Sequence, residues 1–231
     1  MTILFEERTS DSLYVALVQR GRTAQDGKVL RPAESHWHMV LLHYKGETRF
    51  LVVGPWTTTG VLSYSEGAEL LWIKLKPGTF LPHLPARYIL NKETPLPQAT
   101  NSTFWLHSSA WQFPDYDNVE TFIERLARQE ALVCDPVVSA ALEDQPQTLS
   151  PRTIRHRFLQ ATGMTQSHIR QIDRARRAET LLQQGMSILD TVYEAGYFDQ
   201  PHLTRALKQW IGYTPAQIIR KYQPGYVEAT E

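Results

Sequence analysis

Cysteine is almost absent from this chain, since Cys134 is the only one among 231 residues. A single thiol cannot form a disulfide within the chain, and it cannot supply a zinc site built from several cysteines. Because Cys134 lies near a predicted helix end, a small buried apolar role is favoured over that of a reactive thiol. Internal disulfides and multi-cysteine zinc modules are therefore excluded.

Long apolar runs are also missing. No run approaches the roughly 18 residues that a membrane-spanning helix requires. The first residues, MTILFEERTSDS, include early acidic side chains and lack the basic and then apolar pattern of a signal peptide. We therefore expect a soluble, cytoplasmic protein with no membrane partner.

Net charge is the third missing property, because 24 Lys and Arg residues balance 24 Asp and Glu residues. Taken alone, this neutrality argues against a nucleic-acid partner. The charge is unevenly distributed, however. Residues 150–224 have 11 basic and 5 acidic side chains, a net +6, whereas residues 1–134 have 13 basic and 14 acidic side chains, a net −1. A basic C-terminal part behind a near-neutral one is typical of a DNA-binding module joined to a second domain.

The first hundred residues are typical of a β-rich domain. Short segments rich in β-branched and aromatic residues alternate with Gly, Pro and Thr clusters, which predicts a sandwich or a barrel. The predicted strands are 13–20, 38–45, 48–54 and 69–76, and the Pro-rich stretch 91–101 is expected to be irregular. A helix over 119–132 follows, capped by Asp117 or Asn118, and Asp135-Pro136 marks a break before a shorter helix.

The segment 187–215 predicts two short amphipathic helices joined by a tight turn. Its apolar residues recur three and four apart, at Ile188, Leu189, Val192 and Tyr193 and then at Leu203, Leu207 and Trp210. Gly196 suits the left-handed end of the first helix, Asp199 suits the N-cap of the second, and Pro201 suits its first turn. This is the pattern of a helix-turn-helix motif, whose second helix enters the DNA major groove. The outward side chains of that helix are Gln200, His202, Thr204, Arg205 and Lys208.

A second motif of the same plan precedes it. Ser150 is the predicted cap of a helix that has Pro151 in its first turn and ends at Gly163. Its polar face consists of Arg152, Thr153, Arg155 and His156. A connecting helix over 165–184 would place the two recognition helices about one DNA turn apart, roughly 34 Å.

These residues resemble the C-terminal DNA-binding region of AraC/XylS-type bacterial regulators. The resemblance rests on the pattern L-S-P-R-T-I-x-x-x-F-x-x-x-x-G at 149–163, on R-A-x-x-L-L at 177–182, and on Gly196-Tyr197, Asp199-Gln200, Arg205, Leu207-Lys208, Gly212 and Thr214-Pro215. It implies contacts of the two polar faces with bases and phosphates. One departure from the family is the stretch 143–148, which predicts a long turn in the first motif and a short leading helix.

The N-terminal half is similar, through 54–59 and 70–80, to the β-domains of AraC-type regulators that carry a cupin-like sensor domain. The predicted architecture is therefore α+β with two domains: a β-barrel or sandwich with a C-terminal helix at 1–134, and an all-α domain with two helix-turn-helix motifs at 135–231. The resemblance implies double-stranded promoter DNA as partner and a transcription regulator, with an activator expected and repression left open. It leaves open a small-molecule effector, an RNA polymerase contact and a homodimer seam on the apolar stripe of helix 119–132.

Two other functions compete with this prediction. The first is a metal-dependent cupin-like enzyme with a DNA-binding tail, since His36 and His38 are spaced to share one face of a strand, with His43 nearby. The carboxylate and the third ligand expected for such a site are missing, so structural or ligand-lining histidines are favoured. The second is a DNA-binding protein whose N-terminal domain only mediates partner or self association. No catalytic residue, metal ligand or cofactor is predicted.

The arginines admit a simpler interpretation, because polar helix faces are often merely solvated. Two similar faces behind two caps favour DNA contacts for the predicted residues. Arg157 is expected either to pack between helices or to contact a phosphate. For Arg170, Arg174, Arg176 and Arg177, phosphate contacts compete with pairing to Asp173 and Glu179 along the same helix.

Overall fold

A computed structural model describes residues 3–222. The strands are β1 Ile3–Thr9, β2 Val15–Thr23, β3 Gly27–Arg31, β4 His38–Tyr44, β5 Glu47–Val53, β6 Gly60–Tyr64, β7 Glu69–Leu75, β8 Thr79–Phe80, β9 Glu93–Pro95, β10 Gln98–Thr100, β11 Thr103–Leu106, β12 Ser109–Gln112 and β13 Val133–Cys134. The helices are α1 Ala86–Ile89, α2 Val119–Arg128, α3 Pro136–Leu142, α4 Pro151–Thr162, α5 Gln166–Gln183, α6 Ile188–Glu194, α7 Gln200–Trp210 and α8 Pro215–Tyr222. Residues 1–2 of the first predicted domain and 223–231 of the second lie outside the described residues.

The N-terminal half is built on one antiparallel sheet of six strands, in the order β1-β2-β7-β4-β5-β9. Strands β4 and β5 form a tight hairpin in which Tyr44 is opposite Glu47. The two residues of its turn, Lys45 and Gly46, have φ of 51° and 80°. Positive φ at both positions is the geometry that matches the twist of two-residue hairpins. This hairpin fixes which side chains of β4 and β5 face the core.

An aromatic cluster fills the space between this sheet and α2. The Phe50 and Phe104 rings lie 4.6 Å apart, and the Phe122 ring of α2 lies 6.0 Å from that of Phe50. Helix α2 buries Val119, Phe122, Ile123 and Leu126. The apolar stripe that was a candidate dimer seam is therefore covered by the chain itself.

Two compact units divide the described chain. Among the described residues, the first comprises 3–28, 35–55 and 63–166, and the second comprises 29–34, 56–62 and 167–222. The first unit contains the six-stranded sheet together with α3 and α4. The second contains α6, α7 and α8, almost all of α5, and two short segments from the N-terminal half.

Two sequence expectations were wrong in this half. The predicted helix 119–132 ends at Arg128, because Glu130 has a φ of 55° and the chain then enters β13, which pairs with β8. Asn118, one of the two predicted cap residues, is the N-cap of α2, but its side chain makes no capping hydrogen bond to the helix. The Asn118 Oδ1 accepts the Asp115 N–H at 3.0 Å. The stretch 91–101 is not irregular, since β9 pairs with β5 and β10 pairs with β11.

The predicted fold class is confirmed: an antiparallel, sheet-rich N-terminal region precedes a helical region with two helix-turn-helix motifs. Among residues 3–222, no helix combines the length and the apolar character needed to cross a membrane.

Candidate nucleic-acid interface

The second helix-turn-helix motif consists of α6, a turn and α7, and side-chain caps define both helix starts. The Ser187 hydroxyl accepts the Asp190 N–H at 3.1 Å, and the Asp199 carboxylate accepts the His202 N–H at 2.7 Å. Gly196, with φ of 70°, ends α6 in the left-handed conformation predicted from the sequence. These caps satisfy backbone donors that the first helical turns leave unpaired.

Helix α7 has one buried and one open face. Leu203, Ala206, Leu207 and Trp210 are buried. Of the predicted contact residues, Gln200, Arg205 and Lys208 are exposed, whereas His202 and Thr204 are half-buried. The open face therefore presents a guanidinium, an ammonium and an amide, which are suited to base edges and phosphates.

The turn between α6 and α7 is held by an arginine of α5. The Arg174 guanidinium lies 4.4 Å from the centre of the Tyr197 ring and donates to the Gly196 carbonyl at 3.3 Å. Burial raises the pKa of Tyr197, while the charge of Arg174 acts in the opposite direction. The His202 ring meets the Tyr197 ring edge-on at 5.1 Å, so His202 contributes to this packing.

The first helix-turn-helix motif consists of α3, a longer turn and α4. The Asp135 carboxylate caps α3 by accepting the N–H groups of Val137 and Val138. The same carboxylate accepts from Arg157 of α4, with both oxygens 3.1 Å from Nη1. Of the two roles expected for Arg157, the structure therefore places it in the packing between the helices.

Helix α4 begins at the predicted cap. The Ser150 hydroxyl accepts the Thr153 N–H at 3.2 Å and lies 2.9 Å from the Thr153 hydroxyl. Phe158 is fully buried, and Gly163 ends the helix with φ of 70°. All four residues predicted on the polar face are exposed: Arg152, Thr153, Arg155 and His156. The hydroxyl of Thr153 is shared with the cap.

The turn of the first motif is long, as the sequence predicted, but it is ordered by backbone bonds. Asp144 takes a φ of 56°, and the Gln145 N–H donates to the Ala140 carbonyl at 2.9 Å. This is the hydrogen bond of a Schellman ending, with an aspartate where glycine is usual. The leading helix α3 has 7 residues, as does α6.

Three arginines of α5 have partners outside that helix. Arg174 contacts the turn at Gly196, Arg177 lies 3.7 Å from the Glu194 carboxylate, and Arg176 donates to the Ala33 carbonyl. The sequence pointed to phosphates or to intrahelical carboxylates as partners of these residues. It missed these contacts because they join residues distant in the chain.

One sequence expectation about α6 was wrong. Leu189 and Tyr193 were predicted on its apolar face, but they are 62% and 74% exposed. The buried positions of α6 are Thr191 and Val192. The sequence pattern suggested a broader apolar face because Leu189 and Tyr193 are spaced one turn apart and adjoin the true core positions.

His38 of the β-rich half occupies a structural position. His38 is 2% exposed, and its Nδ1 accepts the Trp72 indole N–H at 2.6 Å. Between His36 and His38, the Trp37 side chain is buried and donates to the Ala161 carbonyl of α4 at 2.7 Å. Within residues 3–222, no group of three or more His, Cys, Asp or Glu side chains could hold a metal ion.

Comparison with known protein families gives a match for the helical C-terminal region. Residues 148–221 match the family model described as a helix-turn-helix domain. No curated protein sequence shows a significant match to the chain.

Similar solved structures include ToxT from Vibrio cholerae bound to (E)-4-(8-methylnaphthalen-1-yl)but-3-enoic acid, at 9% identity and a TM-score of 0.43, over 96% of this chain and 100% of that chain. An apo variant of ToxT from Vibrio cholerae shows 11% identity and a TM-score of 0.41, over 94% of this chain and 100% of that one.

The matched segment spans α4 to α8 apart from the last residue of α8, including both capped recognition helices. Its boundaries coincide with the region of net positive charge. Residues 148–221 therefore form a helix-turn-helix domain of the AraC type, and the chain is a DNA-binding transcriptional regulator.

Proposed function

We propose that the regulator contacts two successive major grooves of a promoter through α4 and α7. Gln200, Thr204 and Arg205 of α7 and Arg152 and Arg155 of α4 would contact bases. Thr153, His156, His202 and Lys208 would contact phosphates or flanking groups. The observation that carries the proposal is the exposed polar face of α7 behind a capped helix start. Each bidentate base contact would be worth about 1–3 kcal/mol of discrimination.

In-vitro selection of bound DNA from a random duplex pool tests this proposal. Two conserved half-sites separated by about 10 base pairs would support two recognition helices on one face of the DNA. A single half-site would remove α4 from base recognition. Selection of no sequence above the starting pool would overturn the proposal.

The domain organisation remains a proposal, with a boundary between residues 134 and 135. It is supported by the change in charge along the chain and by the Asp135-Pro136 break. Limited proteolysis of the full chain tests it. The proposed boundary predicts a first cleavage close to residue 135, whereas a first cleavage near residue 167 would contradict it.

The proposed DNA partner also suggests where the protein acts. Since this partner would be chromosomal DNA, the protein would act in the cytoplasm.

We also propose that the N-terminal region binds a small-molecule effector that controls DNA binding. The support is the resemblance of this region to sensor domains of AraC-type regulators, together with its aromatic content. A thermal-shift screen of small organic ligands would detect such an effector through a concentration-dependent rise in melting temperature. A screen without any shift would favour a region that mediates association alone. Stoichiometric metal dependent on His36 and His38 would favour the enzyme alternative.

We propose further that the outer face of α6 contacts RNA polymerase. Leu189 and Tyr193 are exposed there beside Asp190 and Glu194, and carboxylates repel DNA phosphates, so this face suits a protein partner. Replacing Leu189 and Tyr193 by serine should preserve DNA affinity and lower transcription activation in a reconstituted assay. Leu13→Ser, at a residue 77% exposed in the other unit, is the control. Unchanged activation by the double variant would contradict this contact.

A further inference from the structure

Two short segments of the N-terminal half belong to the same compact unit as the second helix-turn-helix motif. We call residues 29–34 and 56–62 the segment pair. They bond to each other, since Glu34 and Trp56 exchange both backbone hydrogen bonds at 2.9 and 2.8 Å. The Arg31 guanidinium also lies 4.6 Å from the centre of the Trp56 ring. The segment pair is therefore a small structure held by its own contacts.

The segment pair closes the C-terminal end of the recognition helix α7. The Ala33 N–H donates to the Trp210 carbonyl at 2.7 Å, and the Thr59 N–H donates to the Gln209 carbonyl at 3.0 Å. The last carbonyls of any helix lack partners within the helix, and leaving them buried without partners is costly. Two of those of α7 are satisfied by residues from the N-terminal half of the chain.

Helix α5 holds the segment pair from another side. Arg176 donates to the Ala33 carbonyl from Nε at 3.2 Å and from Nη2 at 2.8 Å, and its Nη2 lies 3.6 Å from the Glu34 carboxylate. The Glu34 side chain is only 11% exposed, so this pair is poorly screened by solvent. The His168 ring donates to the Thr57 carbonyl at 3.1 Å. One helix therefore fixes both segments.

Gly212, just after α7, makes this approach feasible. Its φ is +95°, and a Cβ added there would lie 2.8 Å from the Thr59 hydroxyl and 3.1 Å from the Leu30 side chain. A Cβ at this position would press on these two side chains, so the Thr59 hydroxyl and the Leu30 methyl groups would have to shift. By contrast, Gly185 has a φ of +90°, and a Cβ added there would have nothing within 4 Å. The two glycines have the same left-handed backbone, and only Gly212 touches the segment pair.

We propose that the segment pair sets the orientation of the second recognition helix. Arg176 is the positioning residue, because it holds the segment pair through Ala33 and Glu34. Gln200, Arg205 and Lys208 are exposed while the segment pair is bonded to α7, so the bonded arrangement leaves these side chains accessible to DNA. The first segment begins within β3 and the second ends within β6, and these two strands pair with each other. Residues of the N-terminal half would thereby influence base recognition by α7. This inference rests on the proposed DNA contacts of α7.

The test compares Gly212→Ala with its control Gly185→Ala, and Arg176→Ala with Arg176→Lys, all in the full chain. DNA selected by the wild-type protein and an unrelated duplex are titrated at one salt concentration, at a temperature where circular dichroism shows every variant folded. Gly212→Ala and Arg176→Ala should bind the selected DNA about tenfold more weakly than their controls, roughly 1.4 kcal/mol. Binding to the unrelated duplex should change less than about twofold, since attraction to phosphates does not depend on the orientation of α7.

Hydrogen exchange separates this inference from the proposed DNA contacts. Amides at the C-terminal end of α7 should exchange faster in Gly212→Ala than in Gly185→Ala, whether or not any DNA is selected. Equal exchange in the two variants would overturn the role of the segment pair. Faster exchange with unchanged discrimination between selected and unrelated DNA would overturn its role in recognition. Failure of the wild-type protein to select DNA would count against the proposed function, while the exchange result would still decide the structural claim.

Discussion

The two helix-turn-helix motifs of this chain share a local plan and differ in what surrounds them. Each recognition helix starts at a side-chain cap, Ser150 in the first motif and Asp199 in the second, with a proline in its first turn. The first motif spans 143–150 between its helices, whereas the second uses only the short turn 195–199. Local sequence thus determines where each recognition helix begins and how long the turn before it is, but not the backbone hydrogen bonds that order the long first turn.

Their surroundings differ more than their sequences do. Helix α4 lies in the same unit as the six-stranded sheet, where the Trp37 indole donates to Ala161. Helix α7 lies with α6, α8 and the segment pair, which bonds to its last carbonyls. The same motif is therefore anchored once to a sheet and once to helices and loops. Substitutions at matched positions of the two motifs would show whether the difference in surroundings changes stability and DNA binding.

The largest expected effects come from truncating one core residue of each recognition helix. Phe158 of α4 and Leu203 of α7 are both fully buried. Phe158→Ala should lower the free energy of unfolding by about 3–5 kcal/mol and Leu203→Ala by about 2–5 kcal/mol. Hydrogen exchange should accelerate in the sheet-containing unit for the first variant and over 167–222 for the second. Acceleration spread equally over both units in both variants would show that the units do not differ in their anchoring.

The next effect concerns DNA. Arg205→Ala should weaken binding to selected DNA by about 1–3 kcal/mol, as expected for loss of a bidentate base contact. Arg155→Ala should cost less if the long turn of the first motif places α4 less favourably. Arg128→Ala, at an exposed arginine of α2, is the control. Competition titrations at fixed salt provide the measurement, and unchanged affinity and sequence preference in Arg205→Ala would contradict the contact.

A smaller effect compares the two caps. The Asp199 bond to the His202 N–H is 2.7 Å long and partly buried, whereas the Ser150 bond to the Thr153 N–H is 3.2 Å long and exposed. Asp199→Ala should therefore cost about 1–2 kcal/mol and Ser150→Ala about 0.5–1 kcal/mol in denaturant unfolding. Asp199→Asn should restore most of the loss, because asparagine caps equally well. A larger loss of unfolding free energy from Ser150→Ala than from Asp199→Ala would contradict this prediction.

The smallest effect is the dependence of stability on pH, which should have opposite signs in the two units. The hydrogen bond with Arg8 lowers the pKa of Glu120 to about 2, so its contribution exists above pH 4.5 and is lost as the pH falls toward 2. Burial raises the pKa of Glu179, so protonation of Glu179 as the pH falls through that raised value favours the folded state. Solvent screening limits the Glu120 contribution to about 1 kcal/mol or less.

Unfolding of Glu120→Gln and Glu179→Gln across a range from acidic to neutral pH checks these signs. Glu120→Gln should lose its stability difference from the wild-type protein near the acidic end. Glu179→Gln should be at least as stable as the wild-type protein at neutral pH. The same pH trend in both variants would contradict the opposite environments of the two carboxyl groups.

Much of the fold could be predicted from periodicity and turn residues. The alternating segment 38–45 corresponds to β4, and the caps Ser150 and Asp199 mark α4 and α7. The order of the strands could not be predicted, because β7 lies between β2 and β4 through pairings remote in sequence. Nor could the membership of 29–34 in the second unit, since it depends on backbone bonds that leave no pattern in the sequence.

The candidate interface could also be predicted only in part. The polar faces of α4 and α7 follow from caps and helical spacing, and the structure finds Arg152, Arg155 and Arg205 exposed. The role of Arg174 in the turn and the exposure of Tyr193 could not be predicted. Both depend on which neighbouring helix covers a given side chain, and helical spacing alone does not specify the neighbour.

The central claim is that both motifs contact bases in successive major grooves of one site. Methylation interference on selected DNA tests it most directly, because a methyl group at guanine N7 blocks only major-groove contacts. The claim predicts two clusters of interfering guanines on one face of the duplex, about 10 base pairs apart, with the cluster assigned to α7 lost in Arg205→Ala. A single cluster, or two clusters that both persist in that variant, would contradict it.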